Sequence, residues 1–273
     1  MDTPLFGSAP SVIALLTDFG LADPYLGQLK GVLMRHAPGS RLLDISHEVA
    51  PQQIEQAAFF LKASLPYLPQ DAVVLAVVDP GVGTQRAGLI AHCEQHYIVA
   101  PDNGLLAPVL EKHTHSALWG VTPPARLQST TFHARDWFGP LAAALAQGNL
   151  PEQYGIPLAP SQIHATPQQN KKHPFNAQEV SCRILHIDRF GNAILDLALT
   201  LEKDTPLLHT HQLTSPAISG TIIYPTTTYA SIPENTVGLI PGSQGYYELA
   251  MDHASVAHRF HLHLGQKLLL RPA

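Results

Sequence analysis

The chain has 273 residues, enough for one large domain or two ordinary ones whose core needs neither disulfides nor metal to hold it. Apolar residues make up 45% and charged residues 14%, which excludes a self-repelling disordered chain. With 16 Lys and Arg against 21 Asp and Glu the formal charge is −5, and without a basic run there is no footprint for nucleic acid or an anionic membrane. Cys93 and Cys182 lie far apart without a CxxC spacing, which points to a reducing, cytoplasmic compartment. Residues 1–3 carry no basic leader-like region, and no apolar run approaches the ~18 residues of a spanning helix.

From residue 12 to about 155, short apolar runs alternate with amphipathic stretches, the pattern of parallel strands joined by crossover helices. VIALLT (residues 12–17) is a first buried strand, after which Asp23 as N-cap and Pro24 at the first helical position open a helix to about residue 36. RLLDIS (41–46) is a second strand, and Pro51 opens a helix to about residue 65. AVVLAVVDP (72–80) is a third strand, while AGLIAH (87–92) and YIVAP (97–101) form a hairpin across residues 93–96. Residues 134–146 have helical spacing and stop before Gly148 as a C-cap. Between residues 156 and 178 Pro, Gln, Asn, His and Lys accumulate without hydrophobic period, as in a linker. SCRILHID, NAILDLAL, ISGTIIYP, TVGLIPG, YYELAM and QKLLLRP follow at hairpin-scale spacing. The expected architecture is therefore an α/β domain with a mainly parallel sheet over 1–155, a linker over 156–178 and a small all-β barrel domain over 179–273.

Asp18, Asp44 and Asp79 lie at or after the ends of the first three strands, where ligands bind in open parallel sheets. Asp44 reads as an ordinary cap. Asp18 in TDFG and Asp79 in VVDPGVG sit in glycine-containing loops that let a ligand approach the backbone. TDFG and HARD (133–136) mimic kinase motifs in the wrong order and setting, and neither a Walker loop nor a GxGxxG after a strand is present. Three HxH pairs, His113/His115, His209/His211 and His261/His263, have chelating spacing but no fitting partners, so a metal-dependent hydrolase ranks low. His133 differs, because it stands just ahead of a helix beside Arg135 and Asp136. By themselves APDNGLL (100–106) and DRFGN (188–192) are ordinary turns.

Taken in order, TDFG with DxYxGQxKG, DISHEV, VVDPGVG with its following Arg, APDNGLL, TFHARDxF, IDRFGN and GSQGYYELA closely resemble the S-adenosylmethionine hydroxide adenosyltransferases, the DUF62 family related to fluorinase and chlorinase. The resemblance runs from about residue 12 to 270. It implies an N-terminal α/β domain, a C-terminal β-barrel and a homotrimer with sites between subunits. It also implies hydrolysis of S-adenosylmethionine to adenosine and L-methionine, with no metal or cofactor. By motif the catalytic set falls on Asp79, Arg86 and His133, with Asp79 and His133 both open as the proton-handling group. Asp18 is implied to hold the ribose hydroxyls, Asp23 and Asp188 to lie near the methionine amino group, and Ser243 near its carboxylate. Phe190, Asn192 and Tyr229 match positions around the adenine, with Thr131 and Phe132 alongside. Related halogenases lack the polar set and carry a longer loop where residues 93–96 are short here, so water is favoured over halide. Gln244 and Gln52 replace the halogenase arginine and tryptophan. A halogenase and a non-catalytic binder of S-adenosylmethionine or adenosine are the competing readings.

Overall fold

The structure, a computed structural model, describes residues 11–113, 116–164, 175–176, 179–199 and 212–273. Contacts divide the chain into two compact units, 1–170 and 171–273. The first unit runs β1 (Val12–Thr17), α1 (Tyr25–His36), β2 (Arg41–Ser46), α2 (Ile54–Ser64), β3 (Val73–Val77), β4 (Gly88–Cys93), β5 (His96–Pro101), α3 (Ala107–Lys112), β6 (Ala117–Val121), α4 (Gly139–Ala146) and β7 (Ile156–Leu158). Its strands make one sheet in the order β2-β1-β3-β5-β4-β6-β7. β1, β2, β3, β5 and β6 run one way, and β4 and β7 oppose them. The sheet is thus mainly parallel, as the alternating pattern predicts.

The continuous apolar strands follow from burial on both faces. Ile13, Leu15, Val73, Leu75 and Val77 pack on one side with Leu29 and Leu33 of α1 and with α4. Ala14, Leu16, Val74 and Ala76 pack on the other with Ala57 and Leu61 of α2 and Val109 of α3. Helices therefore cover both faces. The chain leaves β1 toward β2 and returns to β3 on the other side of β1, so the connection reverses between β1 and β3. Those two strands are in register, with Thr17 opposite Val77, and their carboxyl ends open at the same level.

Several local boundaries depart from expectation. α1 begins at Tyr25 with Pro24, not Asp23, at the cap and with no side-chain cap bond. The proline ring fixes a helical φ of −73°, and its carbonyl accepts the Gln28 N–H at 2.9 Å, so the turn closes without Asp23. α2 starts three residues past Pro51 because Gln52 takes φ +65°, which no helix continues through. Asp44 lies inside β2 in an ion pair with Lys30 and does not cap anything. Residues 134–146 are helical, yet their first turn, Ala134–Phe138, is a π-turn before α4. Gly148, at φ +87°, ends that helix as its sequence position suggests. β6 and β7 were not anticipated, and β7 lies in the stretch expected to be a linker, pairing with β6.

The second unit holds β8 (Phe175–Asn176), β9 (Glu179–Ile187), β10 (Ala193–Ala198), β11 (Leu213–Ser215), β12 (Ile218–Pro225), β13 (Val237–Pro241), β14 (Tyr246–Ala250), a short helix α5 (Val256–Arg259) and β15 (Lys267–Pro272). The order β10-β14-β13-β12-β11-β15-β9 closes on itself through a β9–β10 pairing, and β8 pairs with β9. Closure removes free sheet edges, which suits a small all-β unit. Val180, Ile184, Leu195, Leu239, Leu249 and Leu268 fill its interior.

The turn joining β9 and β10 depends on Gly191, at φ +85°, where a Cβ would stand 1.9 Å from Ser255 Oγ and 2.5 Å from its Cβ. Ser255 caps α5 by accepting the His258 N–H at 3.0 Å. Gly191→Ala is expected to destabilise the second unit by about 2–4 kcal/mol through left-handed strain and overpacking. Thermal unfolding checks this; an unchanged melting temperature would contradict it.

Candidate active site

The carboxyl ends of β1 and β3 carry Asp18 and Asp79 side by side in the crevice where the sheet's connections reverse. Asp79 is nearly buried, its side chain 5% exposed, and its Oδ2 accepts from Arg86 Nη2 at 2.5 Å. Its Oδ1 takes the Gly81 N–H at 3.1 Å, and Arg86 Nη1 also donates to the Ala87 carbonyl at 2.6 Å. The pair is thus tied at both ends to the loop that bears it. That matters because a buried charge left without partners costs several kcal/mol. The guanidinium carbon lies 5.7 Å from the centre of the Phe138 ring, which is itself fully buried.

His133 closes the group. It is buried, packed edge-on against Trp137 with ring centres 5.5 Å apart and against Phe138 at 6.5 Å. Phe138 therefore carries Arg86 and His133 together, and Gly88 makes room for it, since a Cβ there would meet the Phe138 ring at 2.8 Å. Gly83 approaches Thr130 in the same way, bringing the VVDPGVG loop against the segment that leads to His133. Desolvation holds the His133 ring below the ordinary histidine range; Asp79 and Asp136 oppose that shift and Arg86 adds to it. Nδ1 of His133 and Nε of Arg86 are buried without a hydrogen-bond partner among the described residues.

Asp18 has its pKa raised by desolvation and by the charge of Asp79, while the Gln52 N–H, donating to Oδ2 at 2.9 Å, counters the shift. Phe132 is buried beside it, with Phe19 and Tyr25 edge-on at ring distances of 5.5 and 5.4 Å. Arg135 covers the Phe132 ring at 5.0 Å and is paired with Asp136. Thr131 is exposed next to Phe132, its hydroxyl 2.9 Å from that of Ser129, and Asp23 is exposed. The first unit thus brings together Asp18, Asp79, Arg86, Phe132 and His133. Tyr25 packs on Phe132 and the Gln52 N–H serves Asp18; the aromatic spacing Phe19–Tyr25 is the available signal for the first, and for the second the motif marks the position but not its backbone contact.

In the second unit Phe190, Asn192 and Tyr229 line a cavity of about 510 Å³ with Met251 and Ser255. Phe190 is 78% and Tyr229 49% exposed, so two aromatic faces stand open at its rim. The Tyr229 hydroxyl donates to Glu248, and desolvation followed by that carboxylate pushes the phenol well above its usual range. Asp188 is used by its own turn. It accepts the N–H groups of Phe190 and Asn192 at 2.9 and 2.8 Å and the Asn192 amide at 3.0 Å. Ser243 is exposed on the β13–β14 turn. Ser255 and Glu248 were not anticipated.

Among the described residues no group of three or more His, Cys, Asp or Glu is placed to hold a metal ion. His113 ends α3 and pairs with Glu94, while His115, His209 and His211 lie outside the described residues. Among the described residues, no helix is long and apolar enough to cross a membrane.

A family model described as the SAM hydroxide adenosyltransferase N-terminal domain matches residues 13–155, and its C-terminal counterpart matches residues 182–269. The chain is 36% identical to a protein of Thermus thermophilus named (R)-S-adenosyl-L-methionine hydrolase, over 94% of this chain and 98% of that one. It is 27% identical to a fluorinase of an Actinoplanes species, over 93% and 95% of the two chains. The fold superposes on the crystal structure of an uncharacterized conserved protein from Thermotoga maritima with TM-score 0.82 and 26% identity, covering 95% of this chain and 99% of that one.

The crevice makes a titration prediction. A folded state that binds the His133 proton less tightly than the unfolded chain takes up a proton on unfolding, so this group's contribution to stability rises with pH up to about 6.5. Nuclear magnetic resonance should show His133 titrating below that value, and lower still in Asp79→Asn, where an attraction to the charged ring is lost. A rise in Asp79→Asn would contradict the arrangement.

Proposed function

The chain belongs to the SAM hydroxide adenosyltransferase family, and on that premise we propose that it hydrolyses S-adenosyl-L-methionine to adenosine and L-methionine at the crevice of Asp18, Asp79, Arg86 and His133. The observation that carries the assignment is the buried Asp79–Arg86 pair facing a desolvated His133 over a common phenylalanine.

The chemistry asks little of the leaving group. A sulfonium departs as a neutral thioether, so the C5′–S bond breaks without an acid. A water oxygen forms the new C5′–O bond and gives up one proton. The task is to line that water up behind C5′ and raise its basicity. Arginine has only donors and does not deprotonate, so Arg86 serves as an anchor for a water or hydroxide oxygen. His133, neutral because of its burial, and Asp79 are the two acceptors for the proton. The unpartnered Nδ1 of His133 and Nε of Arg86 support this use.

Asp18 is assigned to the vicinal ribose hydroxyls, which a carboxylate can accept together. Phe132 and Thr131 flank it. In the second unit Phe190, Asn192 and Tyr229 are assigned to the adenine and its wall, and their open aromatic faces support that. Asp23 and Asp188 are assigned near the methionine amino group and Ser243 near its carboxylate. For Asp188 the three hydrogen bonds from its turn make the contribution one of shaping the loop as much as contact. A homotrimer in which the first unit of one copy meets the second unit of the next completes the proposal, together with a cytoplasmic setting that suits two buried free cysteines and with no cofactor or metal.

Product analysis tests the reading. Incubation with S-adenosyl-L-methionine should yield adenosine and methionine, with or without chloride or fluoride and in the presence of EDTA. A 5′-halo-adenosine, or substrate recovered intact, would overturn it. Asp79→Ala or His133→Ala should lower kcat by about 10²–10⁴-fold while substrate still binds. Unchanged turnover in both variants would remove them from the mechanism.

A further inference from the structure

The loop that presents Asp18 is held by a polar chain with no part in the chemistry above. Asp44, on β2 beside β1, has Oδ2 2.7 Å from Lys30 Nζ and Oδ1 3.0 Å from His47 Nε2, the latter contact close but off line for a hydrogen bond. The other ring nitrogen of His47, Nδ1, lies 2.8 Å from Thr17 Oγ1. Both Thr17 and His47 are buried. Thr17 Oγ1 also accepts the Phe19 N–H at 3.4 Å, and the Gly20 N–H donates to the His47 carbonyl at 2.8 Å. Asp18 itself receives the Gln52 N–H from the same loop, five positions beyond His47. The residues on either side of Asp18 are therefore tied to one histidine, and its carboxylate to that histidine's loop.

Thr17, His47 and Asp44 have the residue types of a hydrolytic triad, but Thr17 is fully buried and so cannot reach a ligand. The direction of the hydrogen bonds points elsewhere. A carboxylate only accepts, so Asp44 favours a proton on the His47 nitrogen facing it. With the proton there, Nδ1 accepts from the Thr17 hydroxyl, whose lone pairs then serve the Phe19 N–H. Gln52 holds φ +65° at the end of the loop, a conformation that side-chain-bearing residues avoid and that aims its N–H at Asp18.

We propose that His47, through its hydrogen bond with Thr17, is a positioning device for Asp18, presetting its carboxylate for the ribose hydroxyls of an adenosyl ligand through Thr17, Gly20 and the loop that ends at Gln52. The proposal rests on the ribose assignment of Asp18. It distinguishes a preorganised carboxylate from one that a ligand would have to order on binding.

The test is adenosine affinity by calorimetry, together with kcat and KM for S-adenosyl-L-methionine. Thr17→Val removes only the hydroxyl, and His47→Phe keeps a ring but no acceptor. Each should weaken adenosine binding by about tenfold and raise KM similarly, with kcat within about twofold. His47→Asn, which keeps a hydrogen-bonding atom near the Nδ1 position, should recover most of the affinity. In an Asp18→Ala background Thr17→Val should add nothing further. If Asp18→Ala binds adenosine weakly but Thr17→Val binds normally, or the two losses multiply, the positioning device is refuted and the ribose assignment survives. If Asp18→Ala binds adenosine as tightly as the parent chain, the ribose assignment falls and this proposal with it. Melting curves identify any variant that fails to fold, and Thr17→Val, which keeps the side-chain volume, carries the test should His47→Phe do so.

Discussion

A buried ion pair between Asp79 and Arg86 is the constraint on which the site depends. Two charges in a low-dielectric crevice need further hydrogen bonds to offset their desolvation, and breaking one partner leaves the other stranded. Here the Gly81 N–H and the Ala87 carbonyl supply the outer bonds, so the loop that carries the pair also stabilises it. Gly83 of that loop takes φ +86° and brings the backbone against the Thr130 carbonyl, where a Cβ would stand 3.2 Å away. His133 then lies beside a fixed pair of opposite charges, on the same aromatic ring, and burial keeps it neutral.

The sheet provides the rigid frame. Because β1 and β3 are adjacent, parallel and in register, residues just past their carboxyl ends are neighbours without long-range design. The helices on the two faces come from alternate residues of the same strands, so the core that fixes the strands also fixes the spacing of Asp18 and Asp79. At Asp18 burial raises the proton affinity and the charge of Asp79 adds to it. The Gln52 N–H relieves part of that cost.

Much of this was readable in the residues. The bounds of β1 and β2 follow directly from unbroken apolar runs ended by polar loops, and the six barrel runs each became strands. The carboxylates at strand ends and the histidine ahead of a helix were legible because their setting, not their type, is unusual. What stayed hidden depends on partners distant in sequence. β7, a three-residue edge strand containing a proline, has no period to detect and exists because β6 offers it an edge. Asp44 reads as a cap because its salt bridge runs to Lys30 on α1, which the local sequence does not announce. Glu248 alternates into a strand as any surface glutamate would, and only Tyr229, nineteen residues earlier, explains its burial. Asp23 shows the reverse error, a sound local motif made redundant by the proline that follows it.

In the proposed reaction an oxygen nucleophile is aimed at the ribose methylene carbon. Turnover of S-adenosyl-L-methionine in water enriched in oxygen-18, with both products examined by mass spectrometry, tests that most directly. One heavy oxygen is expected in the 5′-hydroxyl of adenosine and none in methionine. Unlabelled adenosine, or label found in the methionine, would contradict it.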